Sequence, residues 1–183
     1  MLELKLTLPI RCKGTIFDVE TTGWTPSVGE FITIGYISGS ELRVVQRDDR
    51  DGSEKNRIGE IAKGLTFLPR PYMAYNKSFE ERWLRFKIDH DLWERWKKLA
   101  TEVRAKWPRL KELVPSLFQY FSPEIEVHRD QINIPSLWEK YVTNGDEEDL
   151  MEIISHNVED LMKSYYLYVW DVYMEKTKVT KRI

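Results

Sequence analysis

Apolar and polar positions along the chain follow two regimes. In the first half, short apolar runs alternate with turn residues. Gly14 to Glu20 reads as a buried strand followed by breaks at Thr25-Pro26 and Gly29, and Phe31 to Ile37 with Glu41 to Gln46 reads as a hairpin reversing across Ser38-Gly39-Ser40. Arg47 to Lys55 is a polar loop. Ile58 to Leu65 has helical spacing, and Pro71 to Tyr75 is a short buried strand ending at Asn76. Ser78 is placed to cap a helix that begins at Phe79 and carries Glu80, Trp83, Leu84 and Phe86.

From about Leu92 the apolar period becomes three to four. Leu92, Trp93, Trp96, Leu99, Val103 and Trp107 predict a helix that Pro108 stops, and Leu110 to Phe121 predicts another with a boundary at Pro115. Ile125 to Ile134 is extended, and Pro135 opens a short helix with Leu137, Trp138 and Tyr141 on one face. Asn144-Gly145 is a turn, Asp146 to His156 and Val158 to Tyr173 are helical, and Lys176 to Arg182 is a basic tail. A hairpin, then alternating strand and helix, then helices, predicts an α/β fold: a mixed β-sheet flanked by α-helices with a helix-rich C-terminal half. The 183 residues show no repeat or dividing linker, so a single domain is expected, with its core at about residues 12–175 and a tail at 176–183.

Composition narrows the function classes. No run approaches the roughly 20 apolar residues of a membrane span, and Met1 to Arg11 lacks the pattern of a signal peptide. A soluble, cytoplasmic protein is expected, with no membrane partner. Cys12, the single cysteine, excludes an internal disulfide and a zinc knuckle, and is expected as a small buried hydrophobe just before the first strand. The formal charge of −2 lacks the basic excess of proteins that coat nucleic acid, so any such contact has to be local.

The chemistry is concentrated in three segments. In "GTIFDVETTG", Asp18 and Glu20 are two apart and share one face of a strand, where two carboxylates repel unless a positive group lies between them. A divalent cation is the usual solution. "AYNKSFEERWL" leaves a buried strand through Tyr75-Asn76 and puts Glu80 in the first turn of the next helix. Glu81, its neighbour, points about 100° away. "ISHNVEDLMKSYYLY" sets His156 and Asp160 four apart, on one helix face.

Taken in order, these segments resemble the motifs of the DEDD exonucleases, the DnaQ-like group with a ribonuclease-H-type fold. "FDVETTG" is similar to their first motif, and "AYNKSFEERWL" together with "INIPSLWEKYVTNGDEEDLMEIISHNVEDL" resembles the YprB-like branch, over Gly14 to about Tyr168. The resemblance implies a 3′-5′ exonuclease that hydrolyses phosphodiester bonds of single-stranded or frayed DNA or RNA. It implies two magnesium or manganese ions held by Asp18, Glu20, Glu80 and Asp160, since such ions take several carboxylate oxygens and serve both the attacking and leaving oxygens of an in-line displacement. Glu80 stands where the family more commonly has aspartate. His156, implied as the general base, stands at the spacing of the tyrosine in tyrosine-using branches, four before the last acid; an ordinary imidazole suits that role. By the same resemblance Thr21, Thr22 and Gly23 hold the terminal nucleotide, Trp24 wedges against its base, and Asn76 lies near the substrate backbone. Lys97, Lys98, Arg104, Lys106, Arg109 and Lys111, interleaved with Trp96 and Trp107, could form a basic and aromatic wall that tracks phosphates. Two other outcomes keep the fold: a nucleic-acid-binding module with weak or no catalysis, and a two-metal endonuclease. Nothing in the sequence specifies a protein partner.

Overall fold

The structure, a computed structural model, describes residues 1–87, 100–102 and 132–180. Among these residues the sheet has four strands in the order β2-β1-β3-β4, with β1 at Leu2–Thr21, β2 at Phe31–Gln46, β3 at Tyr72–Ala74 and β4 at Ala100–Glu102. β1 and β2 are antiparallel, whereas β3 runs parallel to β1 and β4 parallel to β3. Helices α1 (Lys55–Leu65), α2 (Lys77–Lys87), α3 (Ile134–Asn144) and α4 (Glu147–Thr180) complete the described elements. The expected α/β architecture, a mixed sheet flanked by helices with a helical C-terminal part, is the one observed.

The first hairpin differs from expectation. Phe31 to Gln46 is one strand that does not reverse at Ser38-Gly39-Ser40, and its partner is β1 throughout: Thr15–Thr21 pairs with its first half and Leu2–Thr7 with its second. Gly39, at φ 62°, and the register shifts on either side of Cys12 let the pair bend through irregular pairing. β1 reaches back to Leu2 because Leu2, Leu4, Leu6 and Leu8 alternate with Glu3, Lys5 and Thr7, the period of a half-buried strand. Cys12 is buried as expected, but within β1 and not ahead of it.

Three other boundaries move. α2 begins at Lys77, because the Asn76 carbonyl accepts from the Phe79 N–H at 2.8 Å and the Glu80 N–H at 3.3 Å; Ser78 therefore lies inside the first turn and is not the cap. Ala100–Glu102, expected as helix, is a strand, since pairing with the buried β3 outweighs a local three-to-four spacing. The remainder of the helical runs expected over 92–121, the basic and aromatic wall they carry, and most of the extended 125–134 stretch lie outside the described residues. α4 is one helix of 34 residues and not two, because no glycine or proline interrupts it at Asn157, and it takes in most of the expected basic tail.

Strand alternation divides the core. Phe17 and Val19 of β1 pack with Ile58, Ala62, Tyr72, Trp83 and Leu84 on the α1/α2 side. Ile16 packs with Ile37, Met73, Ile154, Leu161 and Tyr165 on the α4 side. α3 is fixed at both its middle and its end. The buried Arg47 guanidinium stacks 5.0 Å above the Trp138 ring while pairing with Asp49 at 2.8 Å and Glu30 at 3.0 Å. Arg50 donates to the carbonyls of Val142 and Thr143, both at 3.1 Å. Among the described residues no helix is long and apolar enough to cross a membrane.

Candidate active site

Because Phe17 and Val19 face α1 and α2, the alternate residues Asp18 and Glu20 face α4. Opposite them on β2 stand two small residues, Gly35 against Asp18 and Thr33 against Glu20, and the space over Gly35 is taken by Asn157 and Leu161 of α4. α4 crosses this face and brings His156, Asn157 and Asp160 to it, and β3 leads through Tyr75-Asn76 into α2, which supplies Glu80. A cavity of about 710 Å³ results, and Asp18, Glu20, Glu80, His156 and Asp160 all line it. Five side chains spread over 143 positions of sequence, from 18 to 160, thus share one space.

The electrostatics of this space are unfavourable without a cation. Asp18 and Glu20 keep part of their surface open to the cavity yet lie deep among protein atoms, and Glu80 is fully buried. Burial first, and then repulsion from Asp160, holds the Asp18 carboxyl well above the usual carboxylate range. Glu20 is raised by burial and then by the charges of Asp18 and Asp160, and Glu80 by burial and the charge of Asp18. Glu80 Oε2 has no hydrogen-bond partner among the described residues. A buried anionic oxygen in that state is strongly disfavoured in water-free surroundings. Four carboxylates are the hard oxygen donors that magnesium and manganese take, and the unpartnered Oε2 fits the same use. Among the described residues no three histidine, cysteine or acidic side chains are already drawn together as a closed metal-binding group. Ligation through all four would require their repulsion to be relieved by the ion itself.

His156 stands one helical turn before Asp160, with Nε2 3.9 Å from Asp160 Oδ2. That is beyond hydrogen-bond length, so the imidazole is close to the acids without being held by them. The loop after Glu20 divides its residues. Thr21, Gly23 and Trp24 line the cavity, whereas Thr22 closes the loop: its N–H donates to the Glu30 carbonyl at 3.0 Å and its hydroxyl accepts from the Glu30 N–H at 2.9 Å. Thr22 is not among the lining residues. Trp24 is 74% exposed and touches the fold through an edge-on contact with Phe79, ring centroids 5.8 Å apart. Asn76 also lines the cavity, and its carbonyl accepts the first bonds of α2.

Two residues without an expected role join this constellation. Asn157, buried, donates from Nδ2 to Asp18 Oδ2 at 2.7 Å. Lys163 places Nζ 2.9 Å from Asp160 Oδ1 and 2.8 Å from Glu159 Oε1. Their signal was present as spacing: Asn157, Asp160 and Lys163 recur every three residues on one face of α4. Ile132 to Pro135, at the start of α3, also line the cavity and are apolar apart from Asn133, whose side chain accepts from the Ser136 N–H at 3.2 Å. The model of one family, RNase_H_2 of the RNase H superfamily, matches residues 15–172. No curated protein matches the chain.

Proposed function

Because the chain belongs to the RNase H superfamily, whose members' chemistry points to a hydrolase acting on nucleic acids, we propose that it is a metal-dependent 3′-5′ exonuclease of the DEDD type, nearest the YprB-like branch. In this reading residues 1–183 form one exonuclease domain whose substrate is a single-stranded or frayed 3′ end. The reading rests on the convergence of four acids from three elements on one cavity, with a histidine beside the last of them.

Asp18, Glu20, Glu80 and Asp160 are the groups that would hold two magnesium or manganese ions. Ions held there supply charge stabilisation to the attacking and leaving oxygens of a phosphodiester displacement. The chain's own residues do the rest. His156 accepts the proton of the attacking water, which its position near Asp160 and its ring nitrogens allow. Trp24, exposed beside the acids, offers a face on which a terminal base stacks regardless of its identity. Thr21, Gly23 and Asn76 line the cavity and would contact the terminal nucleotide. Thr22 serves by keeping that loop closed on Glu30.

The test is direct. Protein comprising residues 1–183 is incubated with manganese and DNA or RNA oligonucleotides labelled at either end. Successive shortening from the 3′ end, with release of 5′ monophosphates, is the expected result. Defined internal cuts would turn the assignment to an endonuclease. Binding with no cleavage of any substrate would leave a nucleic-acid-binding module of the same fold.

A further inference from the structure

We propose that Asn157 is a positioning residue for the acid centre: it holds the Asp18 carboxylate in the orientation in which a divalent cation is bound, and Gly35 exists to let it do so. The inference rests on the metal-site reading given above. Asn157 is 0% exposed, and its Nδ2 donates to Asp18 Oδ2 at 2.7 Å across 139 positions of sequence. Its other end is left without a partner: Oδ1 is buried and accepts no hydrogen bond among the described residues. For stability alone this is a poor choice. A leucine of similar shape would suit the neighbouring Leu161, and would bury no unpaired oxygen.

The opposite strand carries a second costly choice at the same point. Gly35 sits in the interior of β2, directly across from Asp18, where glycine weakens a strand. A Cβ there would lie 2.0 Å from Asn157 Oδ1 and 2.5 Å from Leu161 Cδ1, so a side chain at this position would displace the Asn157 amide from where it meets Asp18. Two residues that are each locally unfavourable therefore meet where their joint effect is to give Asp18 a donor. The bond fixes rotation of the carboxylate about its last single bond, so less orientational freedom is lost when an ion is ligated. Partners of metal-ligating side chains act in this way.

The test separates positioning from packing. Manganese binding to the full chain is measured by calorimetry for the native protein, Asp18→Asn and Asn157→Leu, and the melting temperature of each is recorded without metal. Asn157→Leu is expected to melt at or above the native temperature and to bind manganese about 10- to 100-fold more weakly. A variant that binds manganese within about twofold of the native protein overturns the proposal and leaves the metal site standing. Native protein that binds no manganese, like Asp18→Asn, overturns the metal reading and this inference with it. Should Asn157→Leu fail to fold, Asn157→Ala, which needs no new volume, is scored by the same two limits.

Discussion

One strand, β1, serves two unlike faces. Towards α1 and α2 it presents Phe17 and Val19 to an apolar cluster built round Trp83, which has no exposed surface. Towards α4 it begins in the same manner, with Cys12 and Ile16 among Ile37, Leu161 and Tyr165, and then places Asp18 and Glu20 where further apolar residues would fit. The first face is governed by volume, the second by charge. A chain selected only to fold would continue the apolar pattern through positions 18 and 20, so the acids have to be kept for something other than stability. The comparison teaches that one strand carries apolar packing on one side and a charged centre on the other, the centre drawing Glu80 from the helix that packs on the apolar side.

The strongest break is expected at Asp18. Asp18→Asn removes one of the mutually repelling carboxyls and should abolish nuclease turnover in the oligonucleotide assay while leaving the metal-free melting temperature unchanged or higher. The same face should give the protein an unusual pH dependence. Asp18, Glu20 and Glu80 all have carboxyls raised by burial and neighbouring charge, so the folded state holds their protons more tightly than the unfolded chain does. Their contribution is therefore fully present below the ordinary carboxylate range of about 4 and is lost as pH rises through the raised values. Metal-free protein should melt progressively lower as pH climbs from about 4 towards neutrality, and manganese should restore it. A denaturation series that shows flat stability across that range, with and without manganese, would remove the electrostatic half of the comparison.

On the opposite face the largest effect should be structural. Trp83→Ala leaves a cavity amid Phe31, Phe79 and Leu84, and should lower the free energy of unfolding by about 3 to 5 kcal/mol in a denaturant titration. Manganese affinity of the fraction that remains folded should stay near native. A variant that keeps full stability but loses manganese binding would show the two faces to be coupled through the strand.

How much of this was legible in the sequence differs between the faces. The acid face was readable because its signals are chemical: two acids two apart on an apolar run, and His156 and Asp160 one helical turn apart, can be seen without knowing the pairing of any strand. The long hairpin was not. Ser38-Gly39-Ser40 carries the residues of a reversal, and only the competing partner, the alternating leucines from Leu2 to Leu8, decides that the chain runs on. Ala100–Glu102 was misread for a related reason, since a three-residue strand takes its conformation from β3 and not from its own period. Asn157 was invisible as a partner of Asp18 because a hydrogen bond spanning 139 positions depends on the tertiary arrangement that sets α4 across β1. Thr22, paired with Thr21 and Gly23 by the family resemblance, has its N–H and hydroxyl bonded to Glu30, a loop closure that the motif does not reveal.

Within the charged face, His156 should matter less than the acids. It contributes a proton transfer and leaves the donor oxygens intact, so His156→Ala should lower kcat about 100-fold with little change in manganese affinity. Unaltered cleavage by that variant would shift the role of base to another group.

The smallest effect is expected at Trp24, which belongs to neither core. With 74% of its surface exposed and an edge-on contact to Phe79, it contributes little to folding, and Trp24→Ala should melt within a degree or two of the native protein. If the indole stacks on a terminal base, its removal should weaken binding of a short single-stranded oligonucleotide by about 1 to 3 kcal/mol, measured by fluorescence anisotropy with catalysis blocked by Asp18→Asn. The loss should be similar for all four terminal bases, because every base offers a face to stack on. Retained affinity, or a loss confined to one base, would mean that the rim beside the acids grips its substrate by some means other than this ring.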